Sequence, residues 1–314
     1  MPVARRDLAS YILAPALLAS SLAFRGAAPA RAAVVPLTLP PLGLGTCCDE
    51  ADEASRLVLR GLEAGFRLID TAGHYDSEPA VGEAIGQAVE RGVLRSRSDV
   101  TVCTKLWFTE MGYDRAVAAA RRSLNNLGVD QLDLLLIHFP GAPDAVQDPK
   151  RNREVRASTW RALETLQADG LVRSIGVSNW SRRHLREMLA TCRVPPTVLQ
   201  TEVHPRYQQE ELLNDCLKAG VRVMAHCPLA HGSRLLLRDP TLARIAAECG
   251  RTPAQVALRW SVQKGLVPVP HASSIQRMRE NLGTLEFELS PACMASIDAL
   301  EAGDRAAFNP SLIA

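Results

Sequence analysis

This 314-residue chain has few aromatic residues: Phe, Trp and Tyr together make up 4% of it. Its core must therefore be aliphatic, and Ala, Leu and Val are abundant enough to fill one. Net charge is also low, a formal +2, which argues neither for a nucleic-acid partner nor for an acidic surface. None of the eight cysteines forms a Cys-x-x-Cys pair, so the thiols read as reduced core residues. The vicinal Cys47-Cys48 pair alone leaves a redox role open. After the first strand-like run the text is Leu44-Gly45-Thr46-Cys47. A doubly wound sheet would show the Gly-rich dinucleotide turn there. No internal repeat or linker divides the chain, which reads as one domain.

Residues 1–32 read as a targeting segment, ahead of a folded domain at 33–314. Arg5-Arg6 opens the segment, an apolar stretch at 8–24 interrupted by Pro15 follows, and Ala30-x-Ala32 offers a cleavage signal. The twin arginine resembles a Tat-type leader, pointing to export or plastid and thylakoid targeting. The alternative is a retained extension on a cytoplasmic protein. The stretch is short for a membrane span, so no stable span is expected in the mature chain. Without the segment about 280 residues remain, near the ~250 of a (β/α)8 barrel.

Strand-like runs at 42–45, 67–70, 100–105, 132–138, 172–177, 198–200, 221–225 and 267–269 alternate with helix-like stretches. The pattern predicts helices over 51–64, 79–91, 114–127 with Asp114 as N-cap, 158–168 after a loop at 140–149, 181–190 and 209–219. It predicts others over 242–249, 254–264, 275–282 and 291–300. Such alternation implies a parallel sheet, here a single-domain (β/α)8 TIM barrel. Three runs close on Asp70, Lys105 and His138, and Tyr75 follows Asp70 in the next loop. Charged or titratable groups at buried strand ends cost free energy unless paired or used. Three on successive strands indicate one site at the barrel mouth.

The chain resembles the aldo-keto reductase family. The carriers are Gly43-Leu44-Gly45-Thr46, Ile69-Asp70-Thr71-Ala72-Gly73-His74-Tyr75, Thr104-Lys105-Leu106-Trp107, Leu136-Ile137-His138-Phe139-Pro140, Gly176-Val177-Ser178-Asn179 and Gln200-Thr201-Glu202-Val203-His204-Pro205. Each is weak alone; their order and spacing are specific. The resemblance implies one barrel, commonly a monomer, that moves hydride between NADP(H) and small aldehydes, ketones or alcohols. Its catalytic tetrad falls on Asp70, Tyr75, Lys105 and His138. In chemical terms, Lys105 lowers the pKa of the Tyr75 phenol so that it serves as acid, Asp70 holds Lys105, and His138 polarises the substrate oxygen. Taken singly, each has a plain alternative: a loop cap, an ion pair, a surface tyrosine, a hydrogen-bonded core histidine.

The resemblance places Ser178, Asn179 and Gln200 at the nicotinamide carboxamide. It also assigns Thr46, Cys227, Leu229 and Ser274 to the cofactor. Ala225-His226-Cys227-Pro228-Leu229 departs from the family's tyrosine-containing text, so His226 is expected to stack on the nicotinamide less well. His271-Ala272 replaces the family's Lys-Ser at the 2′-phosphate. Arg277 remains for that phosphate or for adenine, and Glu280 and Asn281 for the adenine amine. The expectation is looser NADP(H) selectivity with NAD(H) tolerated. Cys47, Trp107 and Phe139, with Tyr113 nearby, imply an apolar, roomier substrate pocket. Two other readings are a non-catalytic cofactor-binding or redox-sensing module, and a metal-dependent hydrolase barrel. The latter lacks the His-x-His expected on a first strand, so no metal site is assigned.

Overall fold

The computed structural model describes residues 37–47, 51–143, 145 and 147–314, and the side chains of all of these but 51 and 52. The targeting-like segment and Cys48 lie outside the described residues.

The chain opens with β1 (Leu44–Gly45), α1 (Ala51–Ala64), β2 (Leu68–Asp70), α2 (Glu78–Glu90), β3 (Thr101–Leu106), α3 (Tyr113–Leu127) and β4 (Leu132–Ile137). It continues through α4 (Pro149–Ala168), β5 (Val172–Ser178), α5 (Arg182–Leu189), β6 (Val198–Glu202), α6 (Glu210–Lys218) and β7 (Arg222–His226). The short α7 (Arg234–Leu237), α8 (Pro240–Cys249) and α9 (Pro253–Gln263) precede β8 (Val267–Pro268), and α10 (Ile275–Leu282) and α11 (Pro291–Asp298) follow it. All strand pairs are parallel and the order is sequential. Gly43 N and Gly45 N donate to the carbonyls of Pro268 and Pro270, and a Gly45–His271 bridge joins the first and last strands. The expected (β/α)8 barrel is the fold observed.

The period-two alternation of a strand sorts its side chains into two cores. Ile69, Val102, Leu135, Ile137, Val177 and Leu199 pack outward into the larger, helix-facing core. Leu68, Cys103, Leu134, Leu136, Val198, Met224 and Val267 form the smaller inner one. Two residues further along those inner rows stand Asp70, Lys105, His138, Gln200 and His226. An apolar floor thus carries a polar layer at the carboxyl ends of the strands. β5 contributes Gly176 to this tight interior: a Cβ there would lie 2.4 Å from the Val198 carbonyl oxygen.

Most helix ends fall within two residues of expectation; two differences bear on how the helices start. Asp114 sits within the first turn of α3, with Gly112 at the cap position. α4 starts at Pro149, nine residues before the expected 158, because Asp148 accepts from the Arg151 amide as N-cap and Pro149 favours a first turn. Its early turns, Pro149-Lys150-Arg151-Asn152-Arg153-Glu154, carry almost no apolar residues, so periodicity gives no signal there.

Candidate active site

Lys105 is 1% exposed. Its Nζ donates to Asp70 Oδ2 at 2.9 Å and to the Thr71 carbonyl at 2.9 Å. Asp70 Oδ1 accepts from Gln200 Nε2 at 2.7 Å, so both carboxylate oxygens are used. The same ammonium lies 5.1 Å from the centre of the Tyr75 ring. Tyr75 closes a short turn, Gly73–Tyr75, ended by Asp76 in the left-handed region at φ 56°. The turn returns the half-buried phenol over the barrel mouth.

Burial disfavours the Lys105 charge, but Asp70 and then Tyr75 outweigh it and push this ammonium above its ordinary value. Burial pushes the Tyr75 phenol up, and the charge of Lys105 pulls it down by less. Lys105 acts in the expected downward direction, but desolvation is the larger effect and the net shift is upward. At neutral pH the protonated phenol is the favoured form. The Lys105 charge makes the phenolate less costly than burial alone would leave it.

His138 follows β4, its N–H bound to the Leu106 carbonyl at 3.0 Å. Burial, then Lys105, holds its pKa well below the ordinary value, so the ring is neutral. Its Nδ1 is buried with no hydrogen-bond partner. The ring meets Tyr75 edge-on at 5.7 Å and Trp107 edge-on at 5.0 Å, and stacks on Phe139 at 4.9 Å.

Ser178 ends β5 with Asn179 just beyond it, Gln200 stands in the middle of β6, and His226 ends β7. Asn179 takes a left-handed backbone, φ 59°, which Asn tolerates better than most residues. Its Nδ2 donates to the His138 carbonyl at 3.1 Å and to Ser178 Oγ at 3.2 Å. Its Oδ1 faces His226 Nε2 at 2.9 Å, so that nitrogen donates. Burial lowers the His226 pKa to about 4. His226 thereby fixes Asn179, a role the sequence did not reveal. Gln200 spends its amide nitrogen on Asp70, which leaves its carbonyl oxygen to accept from a ligand amide. With the Ser178 hydroxyl, whose oxygen accepts from Asn179 and whose proton can donate, this acceptor suits a carboxamide, which carries one acceptor and one donor group.

Thr46 is buried and its Oγ1 donates to the Asp70 carbonyl at 3.2 Å. Cys227, at φ 48°, lies 3.1 Å through Sγ from His231 Nε2, and Leu229 is half-buried two residues on. His271 is exposed beside the β1–β8 closure, and Ala272 is buried. Ser274 caps α10 by accepting from the Arg277 amide at 3.3 Å; the Arg277 side chain is exposed. Glu280 accepts from Thr252 Oγ1 at 2.6 Å, and Asn281 is buried.

On the substrate side, Cys47 is exposed and close enough to Tyr75 to act on its ionisation. Trp107 stacks on His74 at 3.8 Å and meets Phe139 edge-on at 5.4 Å. Tyr113 lies elsewhere: its hydroxyl bonds Thr165 Oγ1 on α4 at 3.2 Å. Phe308, from the end of the chain, meets Phe139 edge-on at 5.4 Å. Sequence reading missed Phe308, His74 and Thr71. Thr71 and His74 stand inside the quoted motif; nothing local marks Phe308. Among the described residues no group of three or more His, Cys, Asp or Glu is arranged for a metal ion. No helix there is long and apolar enough to cross a membrane.

A sequence model of the aldo/keto reductase family matches residues 41–302. The chain belongs to the aldo/keto reductase family. It is 39% identical over 273 residues to an aldo-keto reductase of Mycolicibacterium smegmatis, covering 87% of this chain and 94% of that one. It is equally 39% identical over 273 residues to the glyoxal reductase of Bacillus subtilis, covering 87% and 92%. Among solved structures, the aldo-keto reductase of Bombyx mori in complex with NADP superposes with a TM-score of 0.80 at 32% identity, covering 87% of this chain and 92% of that one. As a member of the aldo/keto reductase family, the chain is an oxidoreductase.

Proposed function

We propose that the chain reduces small aldehydes or ketones to alcohols with NADP(H), through Tyr75, Lys105, Asp70 and His138. The observation that carries this reading is the convergence of a buried ammonium, a protonated phenol and a neutral imidazole on one opening. A nicotinamide held beside these residues would supply the hydride. His138 gives a hydrogen bond to the carbonyl oxygen, where negative charge develops. Tyr75 gives that oxygen its proton. Lys105 stabilises the resulting phenolate, and Asp70 and Thr71 keep Lys105 charged and aimed. Asp70 is in turn held by Gln200, so cofactor side and proton side share one network.

Ser178, Asn179, Gln200 and His226 would hold the carboxamide end, with Thr46, Cys227 and Leu229 beside them. His271, Ser274, Arg277, Glu280 and Asn281 would hold the adenosine end. NADP is what the Bombyx mori neighbour binds. The replacement of a lysine by His271 weakens the fixed charge at the 2′-phosphate, so NADH is tolerated as well. The aromatic wall of Trp107 and Phe139 suits an apolar carbonyl compound.

The test is NADPH consumption with a panel of aldehydes, glyoxal among them, alongside Tyr75→Phe. The variant should lose about 10²–10⁴ in kcat and keep its NADPH affinity. Tight NADPH binding without turnover by the native chain would instead identify a cofactor-binding module.

A further inference from the structure

At the end of β6 stands a carboxylate that the proposed reaction does not use. Glu202 is 1% exposed. It accepts three hydrogen bonds: from His204 Nε2 at 3.2 Å, from the Ala306 amide at 2.5 Å and from the Ala307 amide at 3.0 Å. Burial works against its charge, yet these donors hold its pKa below the ordinary value. Two of the three come from the backbone of the C-terminal segment, about a hundred residues away in sequence.

The rest of that segment is tied to the same loop. The Arg206 carbonyl accepts from the amides of Ala302 and Asp304 at 3.2 and 3.1 Å. The Arg206 guanidinium pairs with Asp304 at 2.6 Å, and the Arg305 guanidinium lies 4.3 Å from the Tyr207 ring centre. At the far end, Arg156 Nη1 donates to the Ala314 carbonyl at 2.9 Å and Arg183 Nη2 to that of Ile313 at 2.7 Å. Phe308 immediately follows the two amides on Glu202, and its ring meets Phe139, which stacks on His138. A carboxylate suits this place because it offers acceptors on both oxygens and no donor.

We infer that Glu202 is a positioning residue that sets substrate selectivity: by gripping the amides of Ala306 and Ala307 it fixes Phe308 as a wall of the carbonyl pocket, favouring aromatic over short aliphatic aldehydes. The inference rests on the reductase reading given above. An amide in place of the carboxylate keeps the size but turns an NH2 toward one of the three donors, releasing part of the strap.

The experiment compares Glu202→Gln, Phe308→Ala and the double variant of the full chain, with benzaldehyde and propanal as substrates. Each single variant should lower the ratio of kcat/KM for benzaldehyde to that for propanal by about five- to thirtyfold, through KM, as loss of one aromatic contact and its support implies. The double variant should fall no further than the larger single effect, because both act on one wall. An unchanged ratio in Glu202→Gln, or additive losses in the double variant, would overturn the inference. Amide hydrogen exchange on the native protein decides the matter even if Glu202→Gln fails to fold. Ala306 and Ala307 should be protected like the barrel strands, and rapid exchange there would refute the grip. Absence of any aldehyde turnover by the native chain would reject the reductase reading but leave the exchange result to judge the anchor.

Discussion

Lys105→Met removes one half of a buried ion pair and leaves the other in place. Asp70 Oδ1 would keep its bond from Gln200 at 2.7 Å. Oδ2 would lose its charged partner, at 2.9 Å, and the Thr71 carbonyl would lose a donor. The side chains involved are 0% and 8% exposed, so water cannot compensate. Breaking such a pair on one side costs about 3–5 kcal/mol, most of it the stranded charge. For a domain of this size that lowers Tm by roughly 10 °C. Adding Asp70→Asn removes the stranded charge, and the double variant should recover about 2 kcal/mol of the loss. Its turnover should stay as low as that of Lys105→Met, because the phenolate has lost its ammonium. Urea unfolding of the four proteins gives the stability cycle, and NADPH consumption with benzaldehyde gives the activity cycle. A Lys105→Met loss below about 1 kcal/mol, within the range of exposed pairs, would refute the claim that this charge is held in a dry, paired site. So would strict additivity of the two substitutions.

Other consequences are accessible to simple measurements. His184 is fully buried, and burial followed by Arg156 and Arg183 lowers its pKa from 6.5 to about 4. Its neutral form is favoured in the fold, so its contribution is complete above pH 6.5. That contribution, of order 3 kcal/mol, is lost as pH falls toward 4, because the unfolded chain binds the proton first. His184→Gln should flatten urea midpoints measured across that window. The ratio of kcat/KM for NADPH to that for NADH should stay below about a thousandfold, or ~4 kcal/mol. His271→Lys should raise it about tenfold or more by restoring a fixed charge, and Arg277→Ala should lower it. Gly176→Ala should destabilise by about 2 kcal/mol or more through overpacking, since its Cβ would meet the Val198 backbone at 2.4 Å; an unchanged denaturant midpoint would contradict that geometry.

The strands were legible because each run is short and largely apolar, and α1 and α10 matched their expected bounds because both carry a clear apolar face. Asp70, Lys105 and His138 stood out because each breaks an apolar run at its end; Tyr75, in the loop beyond, was marked only by the family resemblance. What was illegible depends on contacts distant in sequence. The first turns of α4 are polar, yet Asn152 and Arg156 bond the Ala314 carbonyl, which no local window contains. Phe308 meets its partner Phe139 only through the fold. Tyr113 was misplaced because helix phase, which sequence fixes loosely at a boundary, turns it toward α4. The direction of the Tyr75 shift required knowing how deeply the ring is buried against the nearness of an ammonium.

The two-residue alternation of β3 has a further consequence. Thr104 sends its hydroxyl to Glu78 Oε1 at 2.7 Å, and Leu106 belongs to the helix-facing core. Were β3 to slip so that Lys105 took the place of Leu106, the ammonium would be driven among the aliphatic side chains of that core, away from Asp70. The reactive ammonium is therefore also a locating pin: a misthreaded barrel is penalised by the very charge that makes the correct one useful.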